Sequence, residues 1–238
     1  MSDYIEFYTS RKPSHFGLRI LRLWHKRMLC IAAKYITALH TKNILEIGAG
    51  HGLLAEVCQK DGITYAGHEM NIEQAHRLQQ SGYDVTPATV PPIPAGKPAH
   101  IIWLSHVLEH AATYLDAKAM LLACYNRLET NGHIVIIAPD IHHWKAEFWS
   151  VDWSHGFPTS INRVQQLLNE VGFSVDQTLH HTCTCTNPLI AWLLSHAFRL
   201  LPVTLIDLIL HKITGRDYCH SFMGTFGLRQ IFLIGRKE

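Results

Sequence analysis

Residues 45–52 read LEIGAGHG, and no other stretch narrows the possible folds so far. An apolar run broken by Glu46 meets three glycines at alternate positions, Gly48, Gly50 and Gly52, before a periodic apolar segment opens at Leu53. Glycine adopts positive φ and has no Cβ, so a ligand can lie against the backbone N–H groups of such a turn where a helix starts. Strand, glycine turn and helix in this order predict a βα junction that holds a nucleoside-like ligand.

Dinucleotide sites join strand to helix in a similar way, with an acid about 20 residues further on. Here the third glycine of G-x-G-x-x-G falls on Leu53, and Glu46 sets a carboxylate where a pyrophosphate has to lie. A carboxylate repels phosphate and attracts an ammonium group. A nicotinamide oxidoreductase is therefore disfavoured, and S-adenosylmethionine, with a positive amine, a ribose diol and an adenine but no phosphate, suits the pattern. The stretch resembles motif I of the class I S-adenosylmethionine-dependent methyltransferases.

The surrounding periodicity points to one α/β domain. From residue 43 strands alternate with helices: strands over 43–47, 64–69, 84–86, 100–105, 133–138, 173–179 and 230–235, and helices from Leu53, over 72–81, 115–128 and 160–171. Asn131-Gly132 reads as a turn before the fifth strand, and Gly172 as a helix stop. Prolines 87, 91, 92, 94 and 98 exclude helix and central strand between the third and fourth strands. Seven strands match the sheet of the resembled family: Rossmann-like, mostly parallel, helices on both faces, the last strand antiparallel. LRQIFLIGRK at the end fits that last strand.

The expected organisation is a single methyltransferase domain over 1–238. It comprises an N-terminal helical cap over 1–42, a cofactor-binding core over 43–180, a helical lid insertion over 181–228 and the last strand over 229–238. In the cap, residues 18–39 have helical apolar spacing with Arg19, Arg22 and Lys26 along one side, and Tyr8 and Arg11 precede them as candidates to close over the ligand. The segment 188–213 is the most apolar in the chain, but Arg199, Pro202 and Asp207 interrupt it, which favours a lid or dimer surface over a membrane anchor.

A net charge of +2 spread along 238 residues gives no basic face for nucleic acid. Six scattered cysteines and an opening without an apolar signal core suit a reduced, cytoplasmic setting. A small or lipid-linked acceptor is the expected partner; peripheral membrane contact and a homodimer remain open.

A second motif is independent of the first: SHVLEH over 105–110 resembles the segment after the fourth strand in methyltransferases of the ubiquinone-methyltransferase type. RLETNGHIVIIAPD before and through the fifth strand resembles the same family. The resemblance implies S-adenosylmethionine as cofactor, with S-adenosylhomocysteine as product. Glu46, Gly48, Ala49, Gly50 and Gly52 should hold the amino-acid end, Glu69 the ribose diol and Met70 the adenine face. Where the family has an acid for the adenine amine this chain reads TPATVPP, so Ala88 or Thr89 substitutes; Ser105 and His106 complete the cofactor contacts.

Methyl transfer from a sulfonium is an in-line displacement governed by positioning, and a hydroxyl acceptor also needs a base. His106 and His155 are the candidates, with Asp152 placed to orient His155. His106, Glu109 and His110, at i, i+3 and i+4, have a spacing that can hold a metal; His180, His181, Cys183 and Cys185 lack a second well-spaced pair and read as a loop at the end of the sixth strand, and the expectation is no metal in either. The reading is an S-adenosylmethionine-dependent O-methyltransferase, the alternative a catalytically silent scaffold of the same fold.

Overall fold

The computed structural model describes residues 15–182, 187–200 and 228–238, with isolated positions 202, 205, 209 and 212. The sequence folds into helix α1 (His15–Ala32), strand β1 (Ile44–Ile47), α2 (Leu53–Lys60), β2 (Tyr65–Glu69), α3 (Ile72–Gln80), β3 (Val85–Pro87) and β4 (Ala99–Ser105). Then come α4 (Tyr114–Arg127), β5 (Leu128–Pro139), the single turns α5 (Ile141–Trp144) and α6 (Glu147–Ser150), α7 (Ile161–Val171), β6 (Phe173–His181), α8 (Pro188–Leu200) and β7 (Gln230–Lys237).

The strands form one seven-stranded sheet in the order β3-β2-β1-β4-β5-β7-β6. β1 through β5 run parallel to their neighbours, and β7 inserts antiparallel between β5 and β6. The chain leaves β1 toward one edge and returns to β4 on its other side, so the crevice at their carboxyl ends is the natural ligand position.

Alternation along the central strands decides which helix covers which face. Ile102, Leu104, Ile134 and Ile136 point to a core with Leu121 of α4 and Leu168 of α7. Ile101, Trp103, Val135 and Ile137 point the other way, to Met28 of α1 and Leu54 of α2. Both faces of these strands are fully buried, which is why they read as continuous apolar runs.

Helix boundaries follow local chemistry. Thr113 and Asp116 form a reciprocal capping box at the start of α4; Ser160 caps α7, and Gly172 at φ 107° ends it. Two expectations change. The first helix stops at Ala32, and Ala38, at φ 53°, leads into a 3-10 turn over Leu39–Thr41. Asn131-Gly132 does not precede β5 but lies inside it: Asn131 takes φ 61°, and the pairing with β4 shifts register between Ala99 and Ile101. The pair makes a bulge that β5 passes through, because the strand finds partners on both sides of it.

Among the described residues no helix is long and apolar enough to cross a membrane. α8 carries exposed Leu189, Ile190, Trp192, Leu193, Leu194 and Leu200, so it is no buried core helix. Tyr8, Arg11, Cys183, Cys185, Asp207 and most of the expected lid beyond Leu200 lie outside the described residues.

Thr113→Ala removes one half of the capping box and should lower stability by about 1 kcal/mol. Urea unfolding checks this; an unchanged midpoint and slope would show that the box contributes nothing.

Candidate active site

The two sequence motifs meet in space. Gly48, at φ 79°, lies so near the loop after β4 that a Cβ on it would come within 2.7 Å of Val107 Cγ2. Gly52, at φ 71°, starts α2, and a Cβ there would meet Leu78 of α3 at 2.4 Å. The glycines of this turn thus serve packing as well as conformation: α3 and the loop after β4 close on the bend from two sides. The Gly48 and Ala49 N–H groups donate to the His68 carbonyl, which fixes the turn to the end of β2.

Glu46, on β1, is buried and accepts a hydrogen bond from the Tyr65 hydroxyl at 2.6 Å. Burial pushes its carboxyl up to about 8; the Tyr65 bond opposes the rise and the nearby Glu69 charge adds to it. Glu69 bridges the two βα turns. Its Oε2 accepts from Gly50 N–H at 2.7 Å and its Oε1 from Asn71 N–H at 2.9 Å. Each carboxylate oxygen keeps a further lone pair for a ligand hydroxyl. Met70 is half-buried beside it; Ala88 N–H donates to the Glu69 carbonyl at 2.9 Å, and Thr89 is exposed.

Beyond β4, Ser105 is half-buried and His106 takes φ 56°, a conformation unusual for a residue with a side chain, while its N–H donates to the Ile137 carbonyl of β5. His106 Nδ1 lies 3.1 Å from Oε1 of Glu109, which is fully buried. Burial by itself would raise the Glu109 carboxyl; the His106 hydrogen bond and the charges of His106, His110 and His155 outweigh it and hold the group below its ordinary value.

Gly156 and Phe157 N–H both donate to the Glu109 carbonyl, which brings the loop after β5 onto this turn. A Cβ on Gly156 would be 2.6 Å from the Ala111 carbonyl oxygen, so only glycine allows that approach. His110 and His155 rings stand 4.9 Å apart. The orienting contact expected of Asp152 goes elsewhere: His155 Nδ1 meets the Phe148 carbonyl at 2.5 Å, while Asp152 Oδ1 accepts from Ser154 N–H and Oγ–H. Ser154 Oγ in turn lies 2.8 Å from His110 Nδ1. The chemical reason is distance along the loop: two residues of separation let Asp152 fold back on Ser154, a local turn that competes with any bond to the ring beyond.

A family model described as a methyltransferase domain matches residues 18–178, more than half of the chain. The chain belongs to that methyltransferase family. With the glycine turn and the 3-2-1-4-5-7-6 sheet it is a class I enzyme, the class whose methyl donor is S-adenosylmethionine. Solved structures share the fold. An S-adenosylmethionine-dependent methyltransferase from Archaeoglobus fulgidus aligns at 19% identity and TM-score 0.58, covering 89% of this chain and 94% of its own. The N-methyltransferase NodS from Bradyrhizobium japonicum aligns at 11% and 0.60, covering 92% and 97%. Magnesium protoporphyrin IX methyltransferase from Synechocystis, with bound S-adenosylmethionine, aligns at 13% and 0.56, covering 95% and 86%. No curated protein matches the chain.

Other residues around these groups carry no expectation from the sequence. Trp24 of α1 reaches the edge, with ring centroids 6.1 Å from His106 and 5.9 Å from His181. His25 is held neutral far below its usual value, down to about 3, first by burial and then by His106. Asp140 at the end of β5 pairs with His180 of β6 at 3.0 Å, so His180 and His181 belong to a strand and not to a loop. Tyr65 had a signal: it sits four residues before Glu69 on the same strand, hence on the same face as Gly67 and Glu69. The others bear none, since they come together only through packing of α1 and β6.

The Glu46 carboxyl, raised from 4.5 to about 8 on folding, gives a pH test. The folded chain keeps a proton that the unfolded chain has already lost, so this group's contribution is complete below the unfolded value and disappears as pH rises through the folded one. Thermal unfolding of the ligand-free protein should show stability falling between about pH 5 and pH 9, and Glu46→Gln should flatten that fall. Parallel curves for the two proteins would show that Glu46 keeps an ordinary value.

Proposed function

We propose that this methyltransferase moves the methyl group of S-adenosylmethionine to an oxygen of a small or amphiphilic acceptor, with His106 as base. The observation that carries this is the pair His106 Nδ1 and buried Glu109, which lie on either side of Val107, the residue packed against the glycine turn. A carboxylate on Nδ1 fixes the tautomer and leaves Nε2 as the atom that takes a proton. S-adenosylmethionine bound here would supply the methyl group to the acceptor oxygen and leave as its neutral thioether, S-adenosylhomocysteine, while His106 Nε2 would take the hydroxyl proton. His155 and Asp152, committed to Phe148 and Ser154, shape the acceptor side in this reading.

For the cofactor, Glu46 receives the ammonium group, Gly48, Ala49, Gly50 and Gly52 line its amino-acid end, and Glu69 receives the ribose hydroxyls. Met70 covers the adenine, Ala88 and Thr89 border its edge, and Ser105 with His106 flanks the sulfur. The exposed apolar surface of α8 supports an amphiphilic or lipid-linked acceptor. α8 reaches the carboxyl edge of the sheet through His196, whose ring lies 6.3 Å from His143 of α5. A cytoplasmic setting is supported by the free thiols Cys30, Cys58 and Cys124.

Two measurements test the reading. An ammonium group beside Glu46 favours the carboxylate, so at neutral pH S-adenosylhomocysteine binding should release close to one proton, seen by titration calorimetry in buffers of different ionisation heat. Glu46→Gln should abolish that release; equal release from both proteins removes Glu46 from the ammonium site. Against hydroxylated acceptors, His106→Gln should lower kcat roughly a hundred- to ten-thousand-fold with cofactor affinity nearly unchanged. Methyl label that appears on amines instead overturns the oxygen assignment.

A further inference from the structure

Helix α8 turns its apolar side to solvent. Leu189, Leu193 and Leu200 recur at i, i+4 and i+11 and form one stripe with Trp192 beside it, and all four are exposed, Leu200 at 86%. A helix packed on a domain hides such a stripe and shows its polar side; α8 does the reverse, since no acid lies in it and its leucines face water. Two further indoles stand exposed at this end of the sheet, Trp149 of α6 and Trp153 of the loop after β5, the latter at 64%. The ring contact between His196 and His143 places α8 beside these turns.

The same end carries positive charge. α1 meets the last residue of β6 through Trp24, 5.9 Å from His181, and Arg19 and Lys26 are exposed along it. Lys145, between α5 and α6, is exposed as well. Over 15–32, 141–159 and 187–200 the exposed acid among the described residues is Glu147 alone. We propose that α8, the exposed indoles and these cations dock the protein on an anionic lipid bilayer, with α8 lying in the plane of the headgroups.

Each part of the surface has its place there. A 13-residue helix is about 20 Å long, too short for a hydrocarbon core of about 30 Å but long enough to bury an apolar stripe along the interface. Indoles favour the headgroup level, where the ring is buried and its N–H stays wet. Arg19, Lys26 and Lys145 meet lipid phosphates, and each cation held near an anionic leaflet adds to binding. A second copy of the chain fits worse, because a twofold contact through α8 brings the same cations toward one another. The docking goes beyond methyl transfer to oxygen and does not require it; a bilayer held against this end would deliver an amphiphilic acceptor to the loops after β4 and β5.

Sedimentation of the intact protein with vesicles tests the surface. Vesicles of equal parts phosphatidylcholine and phosphatidylglycerol should bind at least about tenfold more tightly than phosphatidylcholine alone, and added salt should erase the difference. Leu189→Ser, Leu193→Ser and Leu200→Ser together should weaken binding to the mixed vesicles by at least about tenfold. Trp153→Ser should weaken it several-fold, and decides if the triple variant does not fold. Arg19→Gln with Lys145→Gln should remove most of the preference for the anionic lipid. Leu122→Ser, exposed on α4, should change nothing. Absence of vesicle binding by the parent protein, or binding that survives the α8 and Trp153 substitutions, overturns the proposal. So does a dimer in solution that the α8 substitutions dissociate, since a second copy then covers the stripe. None of these outcomes bears on His106 as base, which is read from kcat with a water-soluble acceptor and no vesicles.

Discussion

The Glu69 carboxylate is the contact on which the site depends. It takes Gly50 N–H with one oxygen and Asn71 N–H with the other, and so ties the turn after β1 to the turn after β2. Charge-assisted bonds to backbone N–H groups are about twice as strong as neutral ones, and here they hold a bend in which three of five residues are glycine. Asn71 extends the same chain, since its side chain caps α3 by accepting from Gln74 N–H. One acid thus sets the position of two turns and the first turn of a helix.

The other half of the site is brought to this bend by close backbone approaches. Val107 rests against Gly48, and Gly156 against Ala111, which joins the loops after β4 and β5 to each other and to the glycine turn. These loops carry His106, Glu109, His110, Ser154 and His155. α1 seals the opposite side with Trp24 and His25, anchored by Arg22 on Glu56 of α2 at 2.6 Å. The polar residues therefore sit in a frame whose spacing is fixed by glycines and apolar contacts, while the hydrogen bonds only choose ring orientation within it.

The frame was legible in the sequence because it is local. Apolar runs and glycines place the strands to within two residues at either end, apart from the early start of β5 at Leu128, and the two motifs lie on βα turns where chain order alone predicts their meeting. Family membership and the antiparallel last strand followed from the resemblance that the same features carry, while the order of the strands came only with the structure. Pairings inside the site were not legible. Tyr65 on Glu46, Ser154 between Asp152 and His110, and Asp140 on His180 depend on side-chain reach after packing, and several candidates of equal chemistry stood at each position. Asn131-Gly132 misled for a related reason: a positive φ signals a reversal in isolation, but two flanking strands convert it into a bulge.

Glu46 shows how burial and ionisation are linked in this fold. A carboxylate at the end of a central strand has no water to solvate it, so without a positive partner it holds its proton, and Tyr65 supplies only one donor. A cationic group placed beside it, as proposed for the cofactor's ammonium, would change that balance by stabilising the carboxylate charge. The same residue repels phosphate when ionised and offers no cation in either state. In the proposed reading, selectivity for an adenosyl ligand with an amine over one with a pyrophosphate comes from this single buried acid, and its protonation makes the affinity for the cofactor depend on pH even where the chemistry of transfer does not.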